Sequence, residues 1–102
     1  NWIIGLEYRT TSKQLIEIKQ QIENYIKNSE LFTKSENTML SVKIDQFAAS
    51  SIDIKLICFT KTTKYLEWME VKDLLALEIK NIVEKNNASF AFPSQSIYVE
   101  KK

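Results

Sequence analysis

At 102 residues the chain has room for one hydrophobic core and no second core of any size. Its 44% hydrophobic and 26% charged residues are those of an ordinary globular domain, while 14 basic against 13 acidic residues leave a net charge of +1, a field too weak to favour nucleic acid as a partner. No run comes near the roughly 18 apolar residues of a membrane helix and no signal-peptide pattern opens the sequence, so the chain as given is expected to be soluble.

The chain begins abruptly in Asn1-Trp2-Ile3-Ile4, which predicts excision from a longer protein. Residues 2–9 alternate, with Trp2, Ile4, Leu6 and Tyr8 on one face, and predict a first strand. Thr11 and Gln14 then have the spacing of a capping box, in which a hydroxyl and an amide satisfy free N–H groups at a helix start near Ser12. Leu15, Ile18, Ile22, Tyr25 and Ile26 recur at three- and four-residue steps, predicting an amphipathic helix that ends near Asn28. The polar stretch 28–38 breaks every periodicity and is expected to be a surface loop without function.

From Leu40 the period returns to two: Leu40, Val42 and Ile44 point inward in a second strand. Ile52, Ile54, Leu56 and Cys58 do the same in a third, and residues 49–51 make a tight hairpin between them. Setting Ala48 opposite Ile52 places Asp45 across from Lys55 as a favourable cross-strand pair. A second long helix is expected over 64–85, its stripe formed by Trp68, Val71, Leu75, Ile79 and Ile82. Leu66, Met69, Leu74, Leu77 and Val83 widen that stripe beyond what one side of a two-layer fold needs, so part of this helix is expected to meet another chain. Residues 88–92 read as extended, Pro93 interrupts pairing because it has no N–H, and Ile97 and Val99 alternate with Tyr98 and Glu100 in an extra strand with no partner inside the domain.

The order strand, helix, strand, strand, helix, strand predicts an α+β fold: a ferredoxin-like βαββαβ sandwich with two helices on one face of a four-stranded antiparallel sheet. The domain is expected to occupy residues 1–92, with a C-terminal tail or barrel strand over 93–102. Within this frame catalytic and metal residues are not expected. The sequence has no histidine, the commonest general base and metal ligand. Cys58 is the sole cysteine, which favours a reducing, cytosolic setting, and on an inward strand face it behaves as a small hydrophobe. Asp45 and Asp53 are expected on the outward face beside Lys55, a solvated pair without the third oxygen donor a cation would need. No cofactor is implied.

RNA-recognition modules share the topology and stack bases on the open sheet face, where Phe59 and Ile57 are expected. The stretch 54–61 lacks their aromatic and glycine pattern. Acylphosphatase-type enzymes also share it, but Arg9-Thr10-Thr11-Ser12 is no anion-cradling glycine-rich turn.

Three segments carry a family likeness: Gly5-Leu6-Glu7-Tyr8-Arg9-Thr10-Thr11, Ser50-Ser51-Ile52-Asp53-Ile54-Lys55-Leu56, and Phe90-Ala91-Phe92-Pro93-Ser94-Gln95-Ser96-Ile97-Tyr98. In order and spacing they resemble the C-terminal cytosolic domain of small-conductance mechanosensitive (MscS-like) channels. Ala48-Ala49 departs from the Gly-Asp that many relatives carry before the two serines. The resemblance implies a homoheptameric channel gated by membrane tension, at the cytoplasmic face of the inner membrane, whose vestibule ions and small solutes traverse. Pore and tension-sensing helices would reach the membrane from an N-terminal part that this sequence lacks. In such an assembly the segment after the proline pairs with its counterparts in a small barrel. The expected interface residues are therefore Pro93, Gln95, Ile97, Tyr98 and Val99 in the tail and Trp68, Met69 and Leu74 on the second helix, with Ser50, Ser51 and Asp53 at the hairpin. The alternative is a free-standing regulatory or ligand-binding module of the same fold.

Overall fold

The structure is a computed structural model and describes residues 2–33 and 40–91. Its elements run β1 (Trp2–Leu6), α1 (Ser12–Asn28), β2 (Ser41–Phe47), β3 (Ile52–Ile57) and α2 (Tyr65–Lys85). The strands form one antiparallel sheet in the order β1-β3-β2, so β1 and β2 run the same way on either side of β3 and α1 makes the crossover between them. Alternation puts Ile4, Leu6, Val42, Ile52, Ile54 and Leu56 on one face, where they join Leu15, Ile18, Ile22 and Ile26 of α1 and Val71, Leu75, Ile79, Ile82 and Val83 of α2 in a single core.

The start of α1 follows the expected chemistry. The Thr11 hydroxyl accepts from Gln14 N–H at 3.1 Å, and Gln14 Oε1 accepts from Thr11 N–H at 2.8 Å. The same glutamine reaches further: its Nε2 donates to the Asn86 carbonyl at 2.8 Å and to the Asn87 carbonyl at 3.3 Å, at the far end of α2. There Asn87 adopts φ 61°, the left-handed conformation that asparagine tolerates better than most residues. Asn87 N–H bonds Glu84 O and Ala88 N–H bonds Val83 O, the paired bonds of a Schellman ending. The Asn86 side chain donates to Ile82 O and to Gln21 Oε1, so two amides of α1 hold the C-terminus of α2.

This ending turns the chain back along β1. Glu7 N–H bonds Ser89 O, Phe90 bridges Leu6 and Ala91 N–H bonds Gly5 O. Where a fourth strand was expected over 88–92, the described residues show this isolated antiparallel bridge beside a three-stranded sheet. The expected extra strand over 93–102 lies outside the described residues.

Three expectations need correction. The hairpin register differs: Lys43, not Asp45, lies opposite Lys55, and Phe47 lies opposite Ile52. A bulge between Ile44 and Gln46 inserts Asp45 as an unpaired residue, and one extra residue reverses the alternation that follows. Ile44 and Phe47, both apolar, are exposed toward the end of β2 although they lie opposite the buried Ile54 and Ile52. The stretch expected to be only a surface loop supplies Phe32 to the core at 2% exposure, and it extends the sheet edge through a Phe32–Thr60 bridge. Phe59 is not on the open sheet face: it lies past the end of β3 and shares a recess with Trp68 and Leu75.

Replacing Phe32 with alanine should cost about 3–5 kcal/mol in urea unfolding, because a fully packed ring is lost. Gln14→Ala, which removes the cap and the clamp together, should cost about 1–2 kcal/mol, and Gln14→Glu, which keeps only the cap acceptor, should fall between it and the original chain.

Candidate functional site

With one face of α2 occupied by the core, its remaining apolar residues have nowhere to go within the fold. Leu66 is 77% exposed, and Leu77, about three turns further on, lies on the same back surface. Met69 and Leu74 are exposed on opposite flanks, and Tyr65 and Trp68 at the N-terminal end. The first half of α2 thus exposes apolar residues on its back and on both flanks, interleaved with Glu67, Glu70, Lys72 and Asp73, which is more apolar surface than its one buried side can take up.

The environments of these residues differ. Leu66 and Met69 share a shallow, open recess with Trp2, Glu70, Lys72 and Asp73. Leu74 lies beside Leu31, Lys61 and Thr62 on the other flank. Trp68 was expected within the buried stripe. It is 37% exposed, its ring 6.0 Å from that of Tyr65 and 4.7 Å from the Lys72 ammonium. The helix begins without a side-chain cap at Lys64; the Thr62 hydroxyl instead accepts from Lys64 N–H and donates to Glu67.

At the hairpin, Ser51 Oγ donates to Asp53 Oδ1 at 2.7 Å and Gln46 Nε2 approaches Asp53 Oδ2 at 3.4 Å. Asp53 pairs across the sheet with Gly5, and a Cβ on Gly5 would stand 3.4 Å from both Asp53 Oδ1 and Ser51 Cβ. Ser51 and Asp53 therefore lie over the backbone of β1 where a side chain would otherwise project, while Asp45, in the bulge, is exposed and Asp53 is half-buried. Ser50 lies apart, near Glu7, Tyr8, Arg9 and Ala91. The tail candidates Pro93, Gln95, Ile97, Tyr98 and Val99 are outside the described residues.

The structure thus brings Trp68 and Met69 toward Trp2, separates Leu74 from them, and gives Ser51 and Asp53 a structural task. The Lys72 contact with two indoles and the Gln14 clamp were missed by sequence reasoning. Of the unforeseen features only Phe32 left a trace there, as the apolar pair Leu31-Phe32 inside a polar stretch.

Among the described residues no cluster of three or more His, Cys, Asp or Glu could hold a metal ion, and no helix is long and apolar enough to cross a membrane. Cys58 is half-buried against the core, and this burial raises its thiol pKa, which disfavours the thiolate.

The described residues thus form an α+β domain with one antiparallel sheet, two helices and surplus exposed apolar surface on α2. Residues 1–90 match the family described as the C-terminal region of the mechanosensitive ion channel MscS, and the chain belongs to that family. It is 37% identical over 97 residues to the low conductance mechanosensitive channel YnaI of Escherichia coli, covering 95% of this chain and 27% of YnaI. An MscS family protein of Aquifex aeolicus is 36% identical over 98 residues, covering 96% of this chain and 26% of its own. One from Helicobacter pylori strain 26695 is 59% identical over 61 residues, which are 60% of this chain and 10% of that protein. The chain therefore spans from a tenth to about a quarter of these relatives. In fold it resembles the closed-state crystal structure of Helicobacter pylori MscS, with a TM-score of 0.66 at 18% identity, over 99% of this chain and 37% of that one.

Thiol labelling checks the Cys58 environment: at pH 8 its reaction with a disulfide reagent should be at least about tenfold slower than that of free cysteine, and unfolding in urea should restore the free rate.

Proposed function

We propose that this chain is the cytosolic C-terminal domain of a mechanosensitive channel subunit, acting in homo-oligomeric assembly and forming part of a vestibule wall rather than catalysing a reaction. The observation that carries this reading is the set of exposed apolar residues on α2, on sides that the sheet does not cover, in a family of channels. In this reading Trp68, Met69 and Leu74 meet neighbouring subunits. Residues 93–102 form a unit distinct from the domain over 1–92, and Pro93, Gln95, Ile97, Tyr98 and Val99 join their counterparts in a small barrel on the symmetry axis. The assembly is a heptamer at the cytoplasmic face of the inner membrane, anchored by helices N-terminal to this domain. It opens under membrane tension, and ions and small solutes pass through the vestibule.

The finer fold follows the same proposal. The Leu6–Phe90 bridge supports a fourth strand beside β1, which would complete the ferredoxin-like order. The bonds from Glu7 to Ser89 and from Ala91 to Gly5 support that position.

Deleting residues 95–102 from the full-length protein should shift it from heptamer to smaller species in native mass spectrometry, while the isolated domain keeps its circular dichroism spectrum. A truncated protein that still forms intact heptamers contradicts the barrel role, and a truncated domain that unfolds contradicts the separation of the two units.

A further inference from the structure

The end of the core nearest the start of α2 is not closed. A recess of about 400 Å³ is lined by Trp2, Phe32, Leu56, Cys58, Phe59, Thr60, Trp68, Val71, Lys72 and Leu75. Its volume lies within the range of small-molecule sites. Four of its side chains are aromatic, and its floor is formed by buried residues of three different parts of the chain: Leu56 of β3, Phe32 of the connection after α1, and Val71 and Leu75 of α2.

Among these lining residues one side chain, Lys72, is charged. The Lys72 ammonium lies 4.7 Å from the Trp68 ring and 5.9 Å from the Trp2 ring, so two indoles hold it at the recess. Among the described residues Lys72 makes no ion pair, although Glu67 in the same stretch of α2 is paired with Lys64. Glu70 and Asp73 neighbour Lys72 in the shallow recess on the back of the helix, and neither borders this one. Thr60 donates its hydroxyl to Thr62 O, leaving its oxygen lone pairs as acceptors.

We propose that this recess binds an amphipathic monoanion, a medium-chain carboxylate, with its hydrocarbon among Trp2, Phe59, Trp68 and Leu75 and its carboxylate at Lys72. Charge complementarity selects this occupant. The aromatic and aliphatic side chains of the lining explain a hydrocarbon, and Lys72 at the margin, held by aromatic faces and making no ion pair among the described residues, explains one negative charge. A cationic amphiphile would meet Lys72 as a like charge, and a neutral one would leave it unused. The inference does not depend on the channel reading, because every lining residue belongs to this chain.

The sequence supplies its own reporters. Both tryptophans of the chain, Trp2 and Trp68, line the recess, so indole emission responds to its occupation, and the sole cysteine, Cys58, lines it but not the shallow recess that Trp2 shares with Leu66 and Met69. Decanoate, titrated into the chain below its micelle-forming concentration, should change tryptophan emission saturably and slow maleimide labelling of Cys58 over the same range. Shortening to octanoate should weaken binding roughly threefold or more per methylene. Lys72→Met, which keeps the stem and removes the charge, should weaken decanoate about threefold while leaving decanol unchanged, and Cys58→Phe, which fills the slot, should weaken both. Circular dichroism confirms that each variant is folded. No saturable response in the original chain would overturn the site. Equal loss of decanol and decanoate in Lys72→Met, or no loss of either, would overturn the role of the charge.

Discussion

A two-layer fold offers a helix one buried side, and the placement of α2 follows from that constraint. Val71, Leu75, Ile79, Ile82 and Val83 take the buried side, in one cluster with Leu15, Ile18 and Ile22 of α1 and Ile4, Ile54 and Leu56 of the sheet. The helix carries more apolar surface than this side can absorb. Leu66 and Leu77 lie behind it and Met69 and Leu74 beside it, exposed residues whose burial would stabilise any partner able to reach them. The packing that makes the domain stable also determines which surface remains for contacts outside it.

Polar contacts between the helix ends keep that surface in place. Gln14 closes the capping box of α1 and at the same time donates to the carbonyls of Asn86 and Asn87, while Asn86 donates back to Gln21. The C-terminus of α2 is thereby fixed relative to the N-terminus of α1. The left-handed turn at Asn87 then sends the chain along β1, where Ser89, Phe90 and Ala91 meet Glu7, Leu6 and Gly5. The rotation of α2 and the direction in which the chain leaves the domain are set together. On the opposite side of β1, Gly5 gives Ser51 and Asp53 the room to lie over the strand, so the hairpin likeness has a packing explanation.

What the sequence made legible was local. Helix α1 begins and ends where its three- and four-residue pattern and the Thr11–Gln14 spacing place it, because both signals act within one or two turns. The inward positions of Ile52, Ile54 and Leu56 follow from strict alternation. The hairpin register was misjudged because the bulge at Asp45 leaves the sequence looking like an unbroken strand, while the actual pairing depends on contacts across the turn. Phe32 was hidden by polar neighbours; its bridge to Thr60 exists only once β3 is in place. Trp68 shows how periodicity misleads near an element's end: it lies in phase with the buried stripe, but there it borders an open recess and stays partly exposed. For the candidate surface, surplus apolar residues on α2 were visible, whereas their division between two flanks and a back required the fold.

The account rests on the outer side of α2 being covered in the assembled protein. Met69→Cys in a Cys58→Ser background, compared between the isolated domain and the assembled full-length protein, tests it directly through the rate of maleimide labelling. The account predicts fast labelling of the isolated domain, where Met69 is exposed, and at least about tenfold slower labelling in the assembly. Equal rates in the two forms would contradict it.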